Sequence, residues 1–186
     1  MTTRSREDLI RELSETLPFF YHALHSSMIP DEGISLAYAG QGARTGADVA
    51  TIRGGITLVE GTLSAGPVVC GEDTRSSRMI LTAMRFSPEI RAVASIRYTP
   101  QILTICDEML LEITSFDRSR EPIGSREIDF GVAFCSERGD GVPDIIYDTG
   151  SPNHEPLIRI FGETPEPIAA SINRIRTRII DTYSTE

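Results

Sequence analysis

The chain contains no lysine: all 18 of its basic residues are arginine. A Schiff-base lysine and a P-loop lysine are therefore excluded as contributions of this chain. What remains for holding anions is the fixed fork of guanidinium donors, which suits phosphate oxygens bidentately. Cysteine is scarce, with Cys70, Cys106 and Cys135 far apart and no CxxC pair. Odd in number and scattered, they read as buried free thiols, and the apolar surroundings of each argue against a thiolate nucleophile. Histidine is equally sparse. His22 and His25 lie three residues apart and read first as a helix flank, with a zinc site formed from them and Glu155 as the lesser alternative. No apolar run approaches the roughly 18 residues that span a bilayer, and the start, MTTRSREDL, lacks a signal-peptide core. The expected location is cytoplasmic, with no membrane partner.

Charge narrows the partners further. Against 27 acidic residues the arginines leave a formal charge of −9, the wrong sign for a chain that holds nucleic acid through its phosphates. Any anionic ligand must be met by arginines gathered locally. The length, 186 residues, suits one domain, residues 1–186, with an N-terminal helical segment at about 5–28 and enough chain to bury a core unaided.

The stretch from Gly71 to Tyr98, GEDTRSSRMILTAMRFSPEIRAVASIRY, carries the most chemistry. Asp73, Thr74, Ser76 and Ser77 are all helix-capping types, and Met79, Ile80, Ala83 and Met84 follow at three- and four-residue spacing. The spacing predicts a helix from Ser76 or Ser77 whose first turn offers N–H groups, hydroxyls and the side chains of Arg75 and Arg78 to a phosphate. The plain alternative is a capped helix with solvated arginines.

Around it, Ser5 followed by Asp8 resembles a variant capping box ahead of a first helix starting near Arg6, which Pro18 is expected to divide from a second short helix ending before Pro30. Gly33 to Ala39 reads as a buried strand, and the Gly40 to Ala43 turn is too weak a pattern for a nucleotide signature. Ala47 to Ile52 reads as a helical turn. Gly54 to Glu60 and Thr62 to Cys70 read as neighbouring strands. Ser87-Pro88-Glu89 signals a helix restart, Ala92 to Arg97 a strand, and Thr99-Pro100 a capped helix. Leu111 to Phe116 is a strand ending at Asp117 and Arg118, Ser125 a cap for a helix over Ile128 to Cys135, and Pro143 to Tyr147 and Pro156 to Phe161 are strands. Thr164-Pro165 opens a terminal amphipathic helix. Strands interleaved with helices make this an α/β fold with helices on both sheet faces and an antiparallel component.

Leu81 to Arg91 (LTAMRFSPEIR), Ser115 to Arg118 (SFDR), Pro143 to Gly150 (PDIIYDTG) and Glu155 to Gly162 (EPLIRIFG) resemble the archaeal-type thiamine-phosphate synthase (ThiN) family. Ile29-Pro30, Leu36 to Ala39 and Gly42-Ala43 fit the same pattern, in the family's order. The resemblance runs from about Leu9 to Ile180. It implies a three-layer α/β/α fold with a mixed, largely antiparallel sheet of class II aldolase/epimerase type. It also implies that hydroxymethylpyrimidine diphosphate and hydroxyethylthiazole phosphate are joined to give thiamine phosphate and diphosphate, with Mg²⁺ accompanying the diphosphate as the one expected cofactor. Partners would be such small phosphorylated ligands, with a homo-oligomer compatible. The domain is usually joined to a kinase or a helix-turn-helix domain and is read here as standing alone.

By the same resemblance Arg75 holds the catalytic cationic position, and the ligand-binding set is Asp73, Thr74, Ser76, Ser77, Arg78, Arg85, Asp117, Arg118, Asp148, His154 and Glu155. Three positions depart from the family pattern. Arg75 stands where Gly-Ala-Ser-Ser-His has its histidine, Gly55 where Gly-Arg-Ile has its arginine, and His154 where a lysine precedes Glu-Pro. Those at Arg75 and Gly55 favour the alternative function, a non-catalytic thiamine-phosphate-binding sensor or partner module. A metal-dependent sugar-phosphate aldolase fits poorly with three scattered histidines.

Overall fold

The computed structural model describes residues 5–124 and 127–184. A seven-stranded sheet forms its middle layer, in the order β5-β2-β1-β6-β9-β8-β7. The strands are β1 (Ser35–Ala39), β2 (Val49–Ile52), β5 (Val68–Cys70), β6 (Ala92–Arg97), β7 (Ile113–Ser115), β8 (Ile145–Tyr147) and β9 (Leu157–Gly162). Every pairing is antiparallel except β7 with β8. A separate hairpin of β3 (Ile56–Val59) and β4 (Thr62–Ala65) hangs from β1 through a bridge between Ile34 and Ile56.

Helices cover both faces, as the interleaving predicts. On one face α1 (Arg6–Ala23), α3 (Pro100–Glu108) and α5 (Pro165–Tyr183) bury Leu13, Phe20, Ile102, Ile172 and Ile175 against Tyr38, Ala94, Ile96, Ile158 and Ile160. On the other, α2 (Arg75–Phe86) and α4 (Phe130–Glu137) bury Met79, Ile80, Ala83, Val132 and Cys135 against Ala37, Ala39, Val93, Ile146 and Phe161. Because strand side chains alternate, β6 and β9 each feed both cores, which explains why they read as almost continuous apolar runs. Among the described residues no helix is long and apolar enough to cross a membrane.

Four local expectations are corrected. Pro18 does not divide α1; the helix runs through it, because Leu13 and Thr16 before it and Phe20 and Ala23 after it are all buried on one face. That burial outweighs one missing backbone bond. Val49–Ile52 is a strand paired with β1 and β5, and only Gly46–Asp48 forms the expected helical turn. Ser87 starts no helix: it is the C-cap of α2, and its hydroxyl accepts from the Val142 N–H at 3.1 Å. Ser125 lies outside the described residues, and α4 is capped by Asp129, whose carboxylate accepts from the Val132 N–H at 3.0 Å.

Pro18 is exposed, so Pro18→Ala restores a helix hydrogen bond without disturbing the core. Urea denaturation should show a gain of about 1–2 kcal/mol, a large part of the roughly 3 kcal/mol that proline costs inside a helix. A loss of stability instead would mean that Pro18 supports the seating of Phe20 rather than opposing the helix.

Candidate functional site

The α2/α4 face of the sheet is apolar only where those helices cover it. Moving one residue pair along the strands replaces Ala37, Val93 and Phe161 with Ser35, Ser95 and Arg159, which are aligned across β1, β6 and β9. This polar row forms the floor of a cleft of about 500 Å³. Its walls are the start of α2 (Thr74, Arg75, Ser76), Arg118 after β7, the Gly54-Gly55 turn, and the rim residues His154 and Glu155.

Arg159 is the centre of the floor and has no exposed surface. Its Nη1 lies 2.8 Å from Asp148 Oδ2, and its guanidinium lies 5.1 Å from the centre of the Phe116 ring. The ion pair is close but poorly aligned, and none of the three guanidinium nitrogens finds a hydrogen-bond partner among the described residues. The same Asp148 carboxylate takes Arg118 Nη1 at 3.4 Å and accepts from the Gly150 N–H at 2.8 Å. Burial, then the neighbouring Arg75 charge, pulls Arg118 below the usual arginine range, while Asp148 acts against that fall. A guanidinium remains cationic through any such shift, so the crowding favours an added anion.

Arg75, at the first position of α2, is steered by two carboxylates. Its Nη2 donates to both Glu121 oxygens at 3.1 Å, and its Nε lies 3.5 Å from Asp129. Thr74 caps the helix through a box with Ser77: the Thr74 hydroxyl accepts from the Ser77 N–H, and the Ser77 hydroxyl accepts from the Thr74 N–H. The amides of the first turn have no partner within the helix, so they add partial positive charge beside Arg75.

The structure therefore brings Thr74, Arg75, Ser76, Arg118, His154 and Glu155 of the sequence-predicted set to one cleft. Glu155 is already committed, accepting from Arg97 Nε at 3.1 Å and from the Asp31 N–H at 2.8 Å. Ser77 is buried in its capping role, and Asp148 sits behind the arginines rather than in the cleft. Four others lie elsewhere. Arg78 does not line the cleft; its guanidinium is taken by the Asp73 carboxylate at 2.6 Å, ahead of the helix start. Arg85 lines a different groove with Arg44 and Met84. Asp117 is exposed, and its carboxylate accepts from the Ser119 N–H and hydroxyl, which holds it below the usual carboxylate range.

Sequence reasoning missed Arg159, Ser95, Glu121 and Asp129. The signal for the first two was a single polar residue inside an otherwise apolar strand, in LIRIF and AVASI. Gly55 has a left-handed φ of 70°, and a Cβ there would meet the Ile34 carbonyl oxygen at 2.5 Å. No side chain fits, and the nearby Arg53 turns out to Glu72 at 2.6 Å.

No group of three His, Cys, Asp or Glu side chains among the described residues is placed to hold a metal. His25 Nδ1 lies 2.8 Å from the Ser27 hydroxyl. Burial pushes the Cys106 and Cys135 thiols up to about 11, so at pH 8 only about one thiol in a thousand is ionised.

The family profile of thiamine-phosphate synthase ThiN matches residues 12–174. A bifunctional thiamine biosynthesis protein ThiDN of Methanocaldococcus jannaschii is 29% identical over 174 residues, covering 92% of this chain and 41% of that one. This chain thus spans less than half of that relative. A thiamine-phosphate synthase ThiN of Methanothermobacter thermautotrophicus is 30% identical over 128 residues, 66% of this chain and 67% of that protein. Two crystal structures share the fold at 29% identity. The C-terminal domain of protein MJ0236 superposes with a TM-score of 0.85 over 96% of this chain and 98% of that one. The C-terminal domain of phosphomethylpyrimidine kinase gives 0.80 over 92% and 100%.

Two predictions test this geometry. Asp148→Asn should cost about 3–5 kcal/mol in chemical denaturation, since it strands two buried guanidinia, and a neutral result would remove Asp148 as their anchor. Alkylation of the native protein at pH 8 should modify Cys70 alone at an appreciable rate, with Cys106 and Cys135 reacting only on unfolding; fast modification of either would show that it is not sealed in the core.

Proposed function

Because the chain belongs to the thiamine-phosphate synthase ThiN family, we propose that it joins hydroxymethylpyrimidine diphosphate to hydroxyethylthiazole phosphate in this cleft. The observation that carries the reading is the convergence of Arg75, Arg118 and Arg159 on one cleft at the start of α2. A net acidic chain has gathered three of its cations where a polyanion would enter.

The chemistry asks little of a general base. The thiazole nitrogen attacks with its own lone pair, forming the C–N bond as the C–O bond to diphosphate breaks, and diphosphate leaves with that electron pair. The site must stabilise negative charge growing on the leaving oxygen. Arg75 and the first-turn amides of α2 face that task, held in place by Glu121 and Asp129. Mg²⁺ enters as part of the diphosphate substrate, since hydrated Mg²⁺ commonly rides on phosphates and needs few protein ligands. The exchange of a family histidine for Arg75 supplies a permanent cation at the same point, and Arg159 and Arg118 offset the side chain missing at Gly55.

The test is turnover with both precursors and Mg²⁺. Thiamine phosphate should form, and Arg75→Ala should lower kcat/KM about 100-fold, the scale of losing one charge-stabilising donor. Thiamine phosphate binding without turnover would return the chain to the role of a binding module. An Arg75→Ala protein as active as the parent would move the leaving-group site away from α2.

A further inference from the structure

Four polar atoms at the cleft floor make no hydrogen bond among the described residues: Arg159 Nε, Nη1 and Nη2, and Ser95 Oγ. Both residues line the cleft while being almost wholly buried, at 0% and 2% exposure. Arg118 Nε, buried beside them, is in the same condition. Unpartnered buried polar atoms are costly; Arg159 Nη1 has the Asp148 carboxylate at 2.8 Å, but Arg159 Nε and Nη2 and Ser95 Oγ, in residues that line one cleft, would be satisfied by a compact group with several acceptor oxygens. A carboxylate offers two oxygens. A phosphoryl group offers three, and the two guanidinia with one shared carboxylate leave net positive charge to attract it.

Resting on the synthase reading, we propose that the floor formed by Arg159, Arg118 and Ser95 is a second oxyanion seat, distinct from the start of α2, and that it takes the single phosphoryl group of a phosphate monoester. Burial selects between the two seats. The floor residues Arg159, Ser95 and Arg118 are buried, at 0%, 2% and 6% exposure, so we assign them the monophosphate, which needs no hydrated metal. At the start of α2 the Arg75 side chain keeps 28% of its surface exposed, which suits a hydrated metal–diphosphate. Two seats in one cleft let a diphosphate and a monophosphate be held together, which a reaction between them requires. Asp148 is the positioning residue of the floor: it fixes both guanidinia from behind without entering the cleft.

Calorimetry with inorganic phosphate on the whole chain tests this, with inorganic diphosphate plus Mg²⁺ as the contrasting probe. Arg159→Met should weaken phosphate binding about tenfold or more, as expected for losing charged hydrogen bonds. Ser95→Ala should weaken it several-fold with an unchanged Tm, since that hydroxyl supports nothing in the fold, and it serves if Arg159→Met does not fold. Arg75→Ala should instead weaken diphosphate more than phosphate. Phosphate affinity unchanged in both floor variants, or no phosphate binding at millimolar concentration, would overturn the proposal. Turnover with floor-independent phosphate binding would sink this seat and leave the synthase reading standing; floor-dependent binding without turnover would do the reverse.

Discussion

A carboxylate with no exposed surface, Asp148, holds two buried guanidinia, and the site depends on that arrangement. Moving a charge out of water costs several kcal/mol, so Arg159 can occupy the middle of a sheet only with a counter-charge within reach. Asp148 provides it because β8 ends one residue earlier and the Asp148-Thr149-Gly150 turn ties the carboxylate to a backbone N–H. The partnership is incomplete. One carboxylate shared by two arginines neutralises part of the charge and little of the hydrogen-bonding capacity, which leaves buried donors unpartnered at the cleft floor.

The second constraint is the register of β1, β6 and β9. A shift of one residue in β9 would turn Arg159 into the α1/α5 core and bring Ile158 or Ile160 to the cleft. The apolar side of that alternation, packed on α1 and α5, fixes the register, so the stability of one face positions the chemistry of the other. α2 and α4 then stop short of the polar row, and the start of α2 closes the cleft from above. Asp129 joins these parts: its carboxylate caps α4 and pairs with Arg75, and its N–H is bound by the Thr82 hydroxyl of α2 at 2.9 Å.

Much of this was legible in the sequence. Capping residues with proline placed α3 and α5 within a residue of their starts, and β6 was bounded at both ends, since these signals are local. The Pro18 and Ser87-Pro88 readings went astray where tertiary burial overrode a local breaker or a local cap. At the site, the Thr74 to Ser77 turn and Arg118 were readable as polar residues at element ends, where functional groups are sought. Arg159 and Ser95 were not, because their meaning depends on strands distant in sequence lying side by side. Arg78 was misplaced for another reason: three-residue spacing puts it near Arg75 on the helix, but the sequence does not show that the Asp73 carboxylate takes its guanidinium.

The most direct measurement is a crystal structure of the protein with thiamine phosphate. The ligand should lie in the cleft, with phosphate oxygens within about 3 Å of the Arg159 and Arg118 guanidinium nitrogens and the ring system toward the start of α2. Thiamine phosphate bound in the groove lined by Arg44 and Arg85, with the cleft occupied only by water, would contradict it.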